Sequence, residues 1–317
     1  MLLVDRWGKI ITANLAAARM LDAKSKVVTG QYLSAVNSDS ALQQAVQAAV
    51  RGPAVSRRTV LQGKTIQIQA AAVGPEGEVS GVAVVLFDIT QQEQAEQQRR
   101  EFTANVSHEL KTPLQSISGY SELIKCGVAK PEDIQPFAER IYAESQRLIS
   151  LVEDIINLSH LDEQADDTWS QLDLYEEAKE VTESLSAIAA EKQISLTLEG
   201  ENASIRGVAD LIHAIIYNLC DNAIKYNKPN GSVAVSVRDA SGEAVLCVRD
   251  NGIGIPAEAQ DRIFERFYRV DKSHSKEIGG TGLGLSIVKH AAMVHNAKIT
   301  VDSVPGEGTA IFVRFPK

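Results

Sequence analysis

The chain has 317 residues, which predicts two or three domains, because domains usually contain about 100 to 200 residues. Hydrophobic residues make up 44% and charged residues 23% of the chain, an ordinary globular composition that argues against disorder. The net charge of −9 argues against a nucleic-acid-binding surface, which needs clustered Lys and Arg.

Cysteine spacing and hydropathy indicate a cytoplasmic chain. Cys126, Cys220 and Cys247 lie far apart, so they predict neither a disulfide framework nor a zinc site, and the last two lie in apolar segments typical of buried thiols. The sequence contains no run of about 18 apolar residues and no recognisable signal peptide. We expect a cytoplasmic location for the chain as given, whether or not a membrane anchor lies outside it.

Residues 1–90 are predicted to form an α/β sensor domain. Strand-like segments at 2–11, 65–72 and 79–89 surround short helices at 16–21 and 41–50. This order, with Asn14 opening the first helix, resembles a PAS domain. No haem or flavin signature occurs in the segment, so a protein-contact module with a filled core is the simpler interpretation.

Two long amphipathic helices are predicted next. Residues 91–101 are polar and rich in Gln, as expected of a helical signalling connector. Apolar residues then recur at spacings of three and four through 102–124 and again through 134–158, with Gly127 and Pro131 between the two stripes. A hairpin of residues 102–164 leaves one apolar seam uncovered, so we predict a homodimer joined by a four-helix bundle.

After an acidic linker, residues 169–317 are predicted to form a C-terminal α/β sandwich. Helices at 176–192 and 210–225 alternate with strands at 194–198, 233–237 and 244–248, and a hairpin at 298–303 and 308–315 closes the chain. The overall prediction is a multidomain α+β protein: a PAS-like sensor, a dimeric bundle with two helices per chain, and the sandwich.

Residues 102–114, FTANVSHELKTPL, place His108 on the solvent side of the first bundle helix. A neutral imidazole is a nucleophile, and an exposed one is accessible to a phosphoryl group. Glu109 can hydrogen-bond the second ring nitrogen and stabilise the charge that develops during attack. Thr112 lies one turn further on the same face, where its hydroxyl can position a water.

Three further segments suggest a nucleotide site. Asn218, Asn222 and Lys225 share one helical face, which suits a magnesium triphosphate because carboxamide oxygens bind Mg²⁺ and an ammonium binds phosphate. Asp250 ends a strand before a glycine turn, and a second glycine turn precedes an apolar helix whose N-terminus suits phosphate. The candidate cofactor-binding residues are Asn218, Asn222, Lys225, Tyr226, Asp250, Gly252, Gly254, Gly280, Thr281, Gly282, Leu283 and Gly284, with Asn218 and Asn222 as metal ligands.

In this order, the segments resemble the H-, N-, G1, F and G2 boxes of HisKA-type sensor histidine kinases, whose ATPase fold is shared with gyrase, Hsp90 and MutL. The resemblance covers residues 102–317, with 262–271 as the F-box and 272–279 as a lid. It implies that His108 accepts phosphate from Mg-ATP, that Glu109 and Thr112 serve phosphotransfer and phosphatase activity, and that Asp250 reads adenine. A response regulator would then receive the phosphoryl group on an Asp.

Two kinds of alternative remain open from the sequence. One is an ATPase of the gyrase or Hsp90 type, although such enzymes commonly place a Glu where this chain has Asn218, and an amide is no general base. The other is a phosphatase-dominant protein or a non-catalytic nucleotide-binding signalling module. The remaining histidines have no metal-ligand spacing and are interpreted as structural or solvated.

Overall fold

The structure is a computed structural model that describes residues 1–22, 28–75, 78–163, 169–240, 242–270 and 280–317, with the backbone alone at 98 and 157–163. The chain forms two compact units, residues 1–104 and 105–317. The predicted lid at 272–279, with His274 and Lys276, lies outside the described residues, as do most of the acidic linker and the side chain of His160.

The first unit is a five-stranded antiparallel sheet with three helices inserted after its second strand. The sheet order is β2-β1-β5-β4-β3. Its elements are β1 (Leu2–Asp5), β2 (Ile10–Ala13), α1 (Leu15–Met20), α2 (Leu33–Val36), α3 (Ser40–Arg51), β3 (Val55–Leu61), β4 (Lys64–Val73) and β5 (Gly81–Asp88).

Alternating apolar residues explain this sheet. Leu2 and Val4 on β1 and Ile66 and Ile68 on β4 are almost fully buried, because successive strand residues point to opposite faces. The side chain of Asn14 accepts a hydrogen bond of 2.9 Å from the Ala17 amide and caps α1. The predicted strands and helices of this segment are therefore present.

Helix α4 (Thr90–Lys125) joins the predicted connector and the predicted first bundle helix in one continuous helix. The continuity has a simple cause, since the polar segment contains no Gly or Pro to end the helix. Pro113 lies inside the helix, and Gly127, with a φ of +66°, occupies the turn that follows. Helix α5 (Pro131–Glu163) returns antiparallel to α4, and the Tyr120 and Phe137 rings pack 5.1 Å apart.

The rest of the second unit is a mixed sheet covered by helices, as predicted. The sheet order is β11-β12-β10-β9-β7, in which only the pair of β7 and β9 is parallel, and β6 pairs separately with β8. The elements are β6 (Trp169–Asp173), α6 (Leu174–Glu191), β7 (Ser195–Gly200), β8 (Ser204–Val208), α7 (Ala209–Lys225), β9 (Ser232–Ala240), β10 (Glu243–Asp250), α8 (Ala257–Gln260), α9 (Gly284–Val294), β11 (Lys298–Val304) and β12 (Gly308–Pro316).

The core of this part lies between the sheet and helices α6, α7 and α9. Ile212, Ile216 and Cys220 on α7 are buried at spacings of four. The burial of Cys220 confirms the sequence interpretation, whereas Cys247, also expected to be buried, is only half-buried. His295 is also buried, with Nε2 accepting from the Val208 amide at 3.0 Å, so it is structural as expected. None of the helices in the described part of the chain combines the length and apolarity needed to cross a membrane.

Candidate functional site

The side chain of His108 projects into solvent from α4. It is 80% exposed, whereas Val106 and Leu110 on the adjoining face are half-buried and Pro113 is buried. The apolar stripe of this amphipathic helix packs inward and leaves the imidazole outside. His108 therefore faces solvent, as predicted.

Glu109 lies beside His108 but is bonded elsewhere. Its Oε1 is 4.0 Å from His108 Nδ1, which is longer than a hydrogen bond. Its Oε2 accepts a hydrogen bond of 3.0 Å from the guanidinium of Arg147 on α5. Charge-assisted bonds to guanidinium are strong, so this ion pair sets the direction of the carboxylate in this conformation.

Thr112 lies one turn after His108 on the same helical face. Its hydroxyl donates to the backbone carbonyl of His108 at 3.2 Å, a common bond for Thr inside a helix. The hydroxyl is thus held against the backbone of His108, one turn along the helix, as expected from the spacing of four residues.

A cavity of about 900 Å³ opens in the second unit between α7, the end of β10, the turn before α9 and α5. Two of the predicted cofactor-binding residues, Gly252 and Leu283, are buried beside it and do not line it. The predicted residues that line the cavity are Asn218, Asn222, Lys225, Tyr226, Asp250, Gly254, Gly280, Thr281, Gly282 and Gly284.

The polar face of α7 meets the second glycine turn inside this cavity. An ideal Cβ placed on Gly284 would lie 2.6 Å from Asn218 Oδ1 and 3.6 Å from Asn222 Nδ2, so a larger residue would push the Asn218 carboxamide aside. Asn218 Nδ2 donates to the Ala214 carbonyl at 2.8 Å. Two motifs that lie far apart in the sequence therefore form one wall of the cavity.

Lys225 supplies a positive charge to the same wall. Its Nζ lies 2.7 Å from Asp221 Oδ2, one turn earlier on α7. Burial lowers the pKa of Lys225, but the charge and hydrogen bond of Asp221 outweigh it and hold that pKa above its ordinary value. Lys225 is therefore a cation at neutral pH, suited to bind an anionic group.

Asp250 ends β10 and is fixed by backbone donors. Its Oδ1 accepts from the Gly252 amide at 2.8 Å and from the Thr309 amide at 3.3 Å. Burial raises the pKa of Asp250, and these two hydrogen bonds act against that rise. The carboxyl is half-buried at the cavity wall, positioned to accept a hydrogen bond from a ligand.

The turn after Asp250 requires glycine at Gly254. Its φ is +68°, and a Cβ there would lie 2.1 Å from the Val304 carbonyl oxygen. Gly306 also has a positive φ, +83°, but a Cβ there would meet nothing within 4 Å. Comparing alanine substitutions at the two positions therefore separates the cost of backbone strain from the cost of crowding.

We expect Gly254→Ala to lower the free energy of unfolding by roughly 2–4 kcal/mol, because it adds crowding to strain. Gly306→Ala should cost only about 1–2 kcal/mol, from strain alone. Urea unfolding followed by Trp169 fluorescence, in a Trp7→Phe background, measures both. Equal losses in the two variants would contradict the predicted crowding at Gly254.

The structure adds residues from α5 that no sequence motif indicated. The Thr281 hydroxyl donates to Asp154 Oδ2 at 2.6 Å, and Ser150 and Glu153 also line the cavity. Burial raises the pKa of Asp154, although the Thr281 bond lowers it. The second bundle helix thus forms part of the cavity wall in this conformation.

The predicted F-box segment packs against the glycine turn. The amide of Phe267, at a φ of +63°, donates to the Gly282 carbonyl at 2.8 Å. Burial lowers the pKa of the neighbouring Arg269, as does the charge of Arg147, whereas Tyr226 and Glu109 raise it. Arg269 therefore lies near the ion pair of the bundle in this conformation.

Two family models match parts of the chain between residues 98 and 317. Residues 98–164 match the His Kinase A (phospho-acceptor) domain. Residues 207–317 match the ATPase domain described as histidine kinase-, DNA gyrase B- and HSP90-like.

Curated relatives match almost the whole chain. Sensor protein kinase WalK of Staphylococcus aureus is 32% identical over 330 residues, which cover 98% of this chain and 77% of the relative. Sensor protein kinase WalK of Staphylococcus epidermidis is 32% identical over 333 residues, covering 99% of this chain and 53% of the relative. The chain thus spans about half the length of several curated relatives that it matches.

Solved histidine kinases share the fold. Histidine kinase ThkA, in complex with the response regulator protein TrrA, aligns over 100% of this chain and 96% of its own, with a TM-score of 0.56 and 21% identity. Histidine kinase AdeS of Acinetobacter baumannii aligns over 66% of this chain and 97% of its own, with a TM-score of 0.53 and 23% identity.

Proposed function

The chain belongs to the sensor histidine kinases, and on that premise we propose that it transfers the γ-phosphoryl group of ATP to its own His108. The observation that carries the proposal is the combination in one chain of an exposed imidazole, flanked by Glu109 and Thr112, with a cavity lined by residues of the predicted nucleotide motifs. A histidine kinase needs both parts, whereas an ATPase needs only the second.

The cavity residues fit magnesium and ATP by their chemistry. Carboxamide oxygens of Asn218 and Asn222 are hard ligands of the kind Mg²⁺ takes, and Lys225 is a phosphate donor kept cationic by Asp221. Asp250 would accept a hydrogen bond from the adenine amino group, and amides at the N-terminus of α9 would bind phosphate. When bound, ATP supplies the phosphoryl group and Mg²⁺ neutralises its charge.

His108 and Glu109 divide the work of transfer in this proposal. Because Glu109 lies on the Nδ1 side of the ring, Nε2 is the nitrogen that attacks the γ-phosphorus. A phosphorus–nitrogen bond forms, and the bond to the oxygen that leaves with ADP breaks. Glu109 then hydrogen-bonds Nδ1–H and stabilises the positive ring until its proton is lost.

We further propose that an Asp of a response regulator receives the phosphoryl group, and that Thr112 positions a water for the reverse, phosphatase reaction. The Thr112 hydroxyl beside His108 supports this second role. Of the alternatives, an ATPase of the gyrase or Hsp90 type is less well supported, since the Asn218 amide is no general base. A phosphatase-dominant protein or a non-catalytic signalling module is separated from the kinase by the labelling experiment below.

A homodimer is also proposed, supported by apolar side chains that one chain leaves uncovered. Large hydrophobic residues of α4 and α5 are exposed, which is unusual for a free helical hairpin in water. A second copy would bury them in a four-helix bundle. These residues are Leu114, Leu123, Ile134, Tyr142, Ile149, Val152 and Ile156.

The domain division that we propose is a PAS sensor at 1–90, a connector at 91–101, the phosphotransfer hairpin at 102–164 and the ATP-binding domain at 169–317. The five-stranded antiparallel sheet, with three helices after its second strand, supports the PAS assignment. We also propose a cytosolic location, where ATP is available, and a membrane anchor outside these residues.

Incubation with ATP labelled at the γ-phosphate and magnesium tests the proposed kinase. We expect label on the protein that is lost in acid and stable in base, as a phosphoramidate should be. The labelled protein should then transfer its phosphate to a receiver domain. Release of inorganic phosphate without labelled protein would identify an ATPase, and accelerated loss of phosphate from a phosphorylated receiver alone would identify a phosphatase-dominant protein.

Asp250→Asn should weaken nucleotide binding by roughly 10- to 100-fold, because a hydrogen bond to a charged acceptor contributes about 1.5–3 kcal/mol. Calorimetric titration with ADP measures the dissociation constant. Asp302→Asn is the matched control, since Asp302 is exposed on β11. An unchanged dissociation constant in Asp250→Asn would remove Asp250 from the adenine site.

A further inference from the structure

Arg147 connects the two bundle helices at the level of the phosphorylation site. It lies on α5, and its side chain is only 13% exposed. One terminal nitrogen donates to Glu109 Oε2 at 3.0 Å, and the other lies 3.9 Å from Glu144 Oε2. A guanidinium buried to this degree has few alternative rotamers, so it is a fixed anchor rather than a mobile surface charge.

The two oxygens of Glu109 face different partners. Oε2 is held by Arg147, while Oε1 is directed toward His108 Nδ1 at 4.0 Å. The Glu109 side chain is 29% exposed and the imidazole 80% exposed, so the ring is the freer of the two groups. A small rotation of the ring can close the remaining distance without breaking the ion pair.

We propose that Arg147 is a positioning residue for phosphotransfer, which anchors Glu109 by one oxygen so that the other is aimed at Nδ1 of His108. The inference rests on the proposed kinase function and adds to it a residue that no sequence motif indicated. A glutamate without this anchor would sample several rotamers, and aiming it would cost conformational entropy at each turnover.

The surroundings of Arg147 favour an anchor over a purely structural ion pair. Glu144 also faces the guanidinium, but its Oε2 is buried and has no hydrogen-bond partner within the described residues. Arg147 therefore forms its short bond with the carboxylate next to the reactive histidine, not with the acidic residue on its own helix. Arg269 adds a second positive charge to this region.

Autophosphorylation rates of Arg147→Met test the inference. We expect kcat to fall about 10- to 100-fold, the range expected when a catalytic group is displaced by about 1 Å, with KM for ATP unchanged. Arg147→Lys should recover part of the rate, because an ammonium keeps the charge but not the fork of donors. Arg140→Met is the matched control, since Arg140 lies on the same helix over the Tyr120 ring.

A double-mutant cycle distinguishes positioning from structure. If Arg147 acts through Glu109, adding Arg147→Met to Glu109→Gln should slow the reaction no further. Three results would overturn the inference: an equal slowing in both backgrounds, a change in KM alone, or an unchanged or faster rate in the single Arg147→Met variant. Circular dichroism verifies folding, and if Arg147→Met does not fold, Arg147→Gln decides the cycle by the same criteria.

Failure of the kinase proposal would look different. In that case the wild-type chain itself carries no acid-labile label, whereas an incorrect inference about Arg147 leaves wild-type labelling intact.

Discussion

Replacing His108 with glutamine should abolish incorporation of label from γ-labelled ATP, reducing it from the wild-type level to background. Glutamine keeps a polar side chain on the exposed face of α4 but has no nucleophilic nitrogen, since its amide lone pair is delocalised. Scintillation counting after gel separation, with acid and base treatment of parallel samples, measures the loss.

The His108→Gln variant should bind nucleotide as the wild type does, because the cavity lies on other elements of the second unit. A calorimetric titration with ADP is therefore the control for folding and binding. Acid-labile label that persists in His108→Gln at the wild-type level would falsify the assignment of His108 as phosphoacceptor. The Asp250→Asn variant gives the converse pattern, with impaired binding and an intact acceptor.

Local patterns in the sequence predicted most of the helices and strands. Spacings of three and four predicted helix α7 within one residue of its observed bounds, Ala209–Lys225. The same periodicity predicted that His108 points outward, since Val106 and Leu110 occupy the inner face. Such predictions succeed because they depend only on residues a few positions apart.

The connector and the first bundle helix, predicted as consecutive stretches of a continuing helical pattern, form one helix. Where the composition changes from polar to apolar, a helix passes from a solvated stretch to a packed one without ending. Pro113 lies in the interior of α4, where a proline removes one backbone hydrogen bond, yet the helix continues past it to Lys125.

The contacts that shape the site join residues far apart in the chain, which explains why no pattern predicted them. Glu109 and Arg147 are 38 positions apart, Asp250 and Thr309 are 59 apart, and Thr281 and Asp154 are 127 apart. Each contact follows from how helices and sheet pack. The pair of Asp221 and Lys225 is the exception, because acidic and basic residues four apart on a helix normally interact.

Glu109→Gln should lower the rate of autophosphorylation at saturating ATP by roughly 10²- to 10⁴-fold, the usual contribution of general acid–base catalysis. The amide keeps the shape of the side chain but loses the negative charge, so it stabilises the positively charged ring less. KM for ATP should stay near its wild-type value, because Glu109 lies on α4 and does not line the nucleotide cavity. Initial rates of labelling over a range of ATP concentrations measure both constants.

Glu122→Gln is the matched control, since it makes the same exchange at an exposed position of the same helix. Its rate should equal that of the wild type. If Glu109→Gln were also unchanged, the ring proton would pass directly to water, which the 80% exposure of His108 allows. The Glu109–Arg147 pair would then be a structural link between α4 and α5. A large loss confined to Glu109→Gln would make Glu109 a catalytic group, which its ion pair with Arg147 holds beside His108.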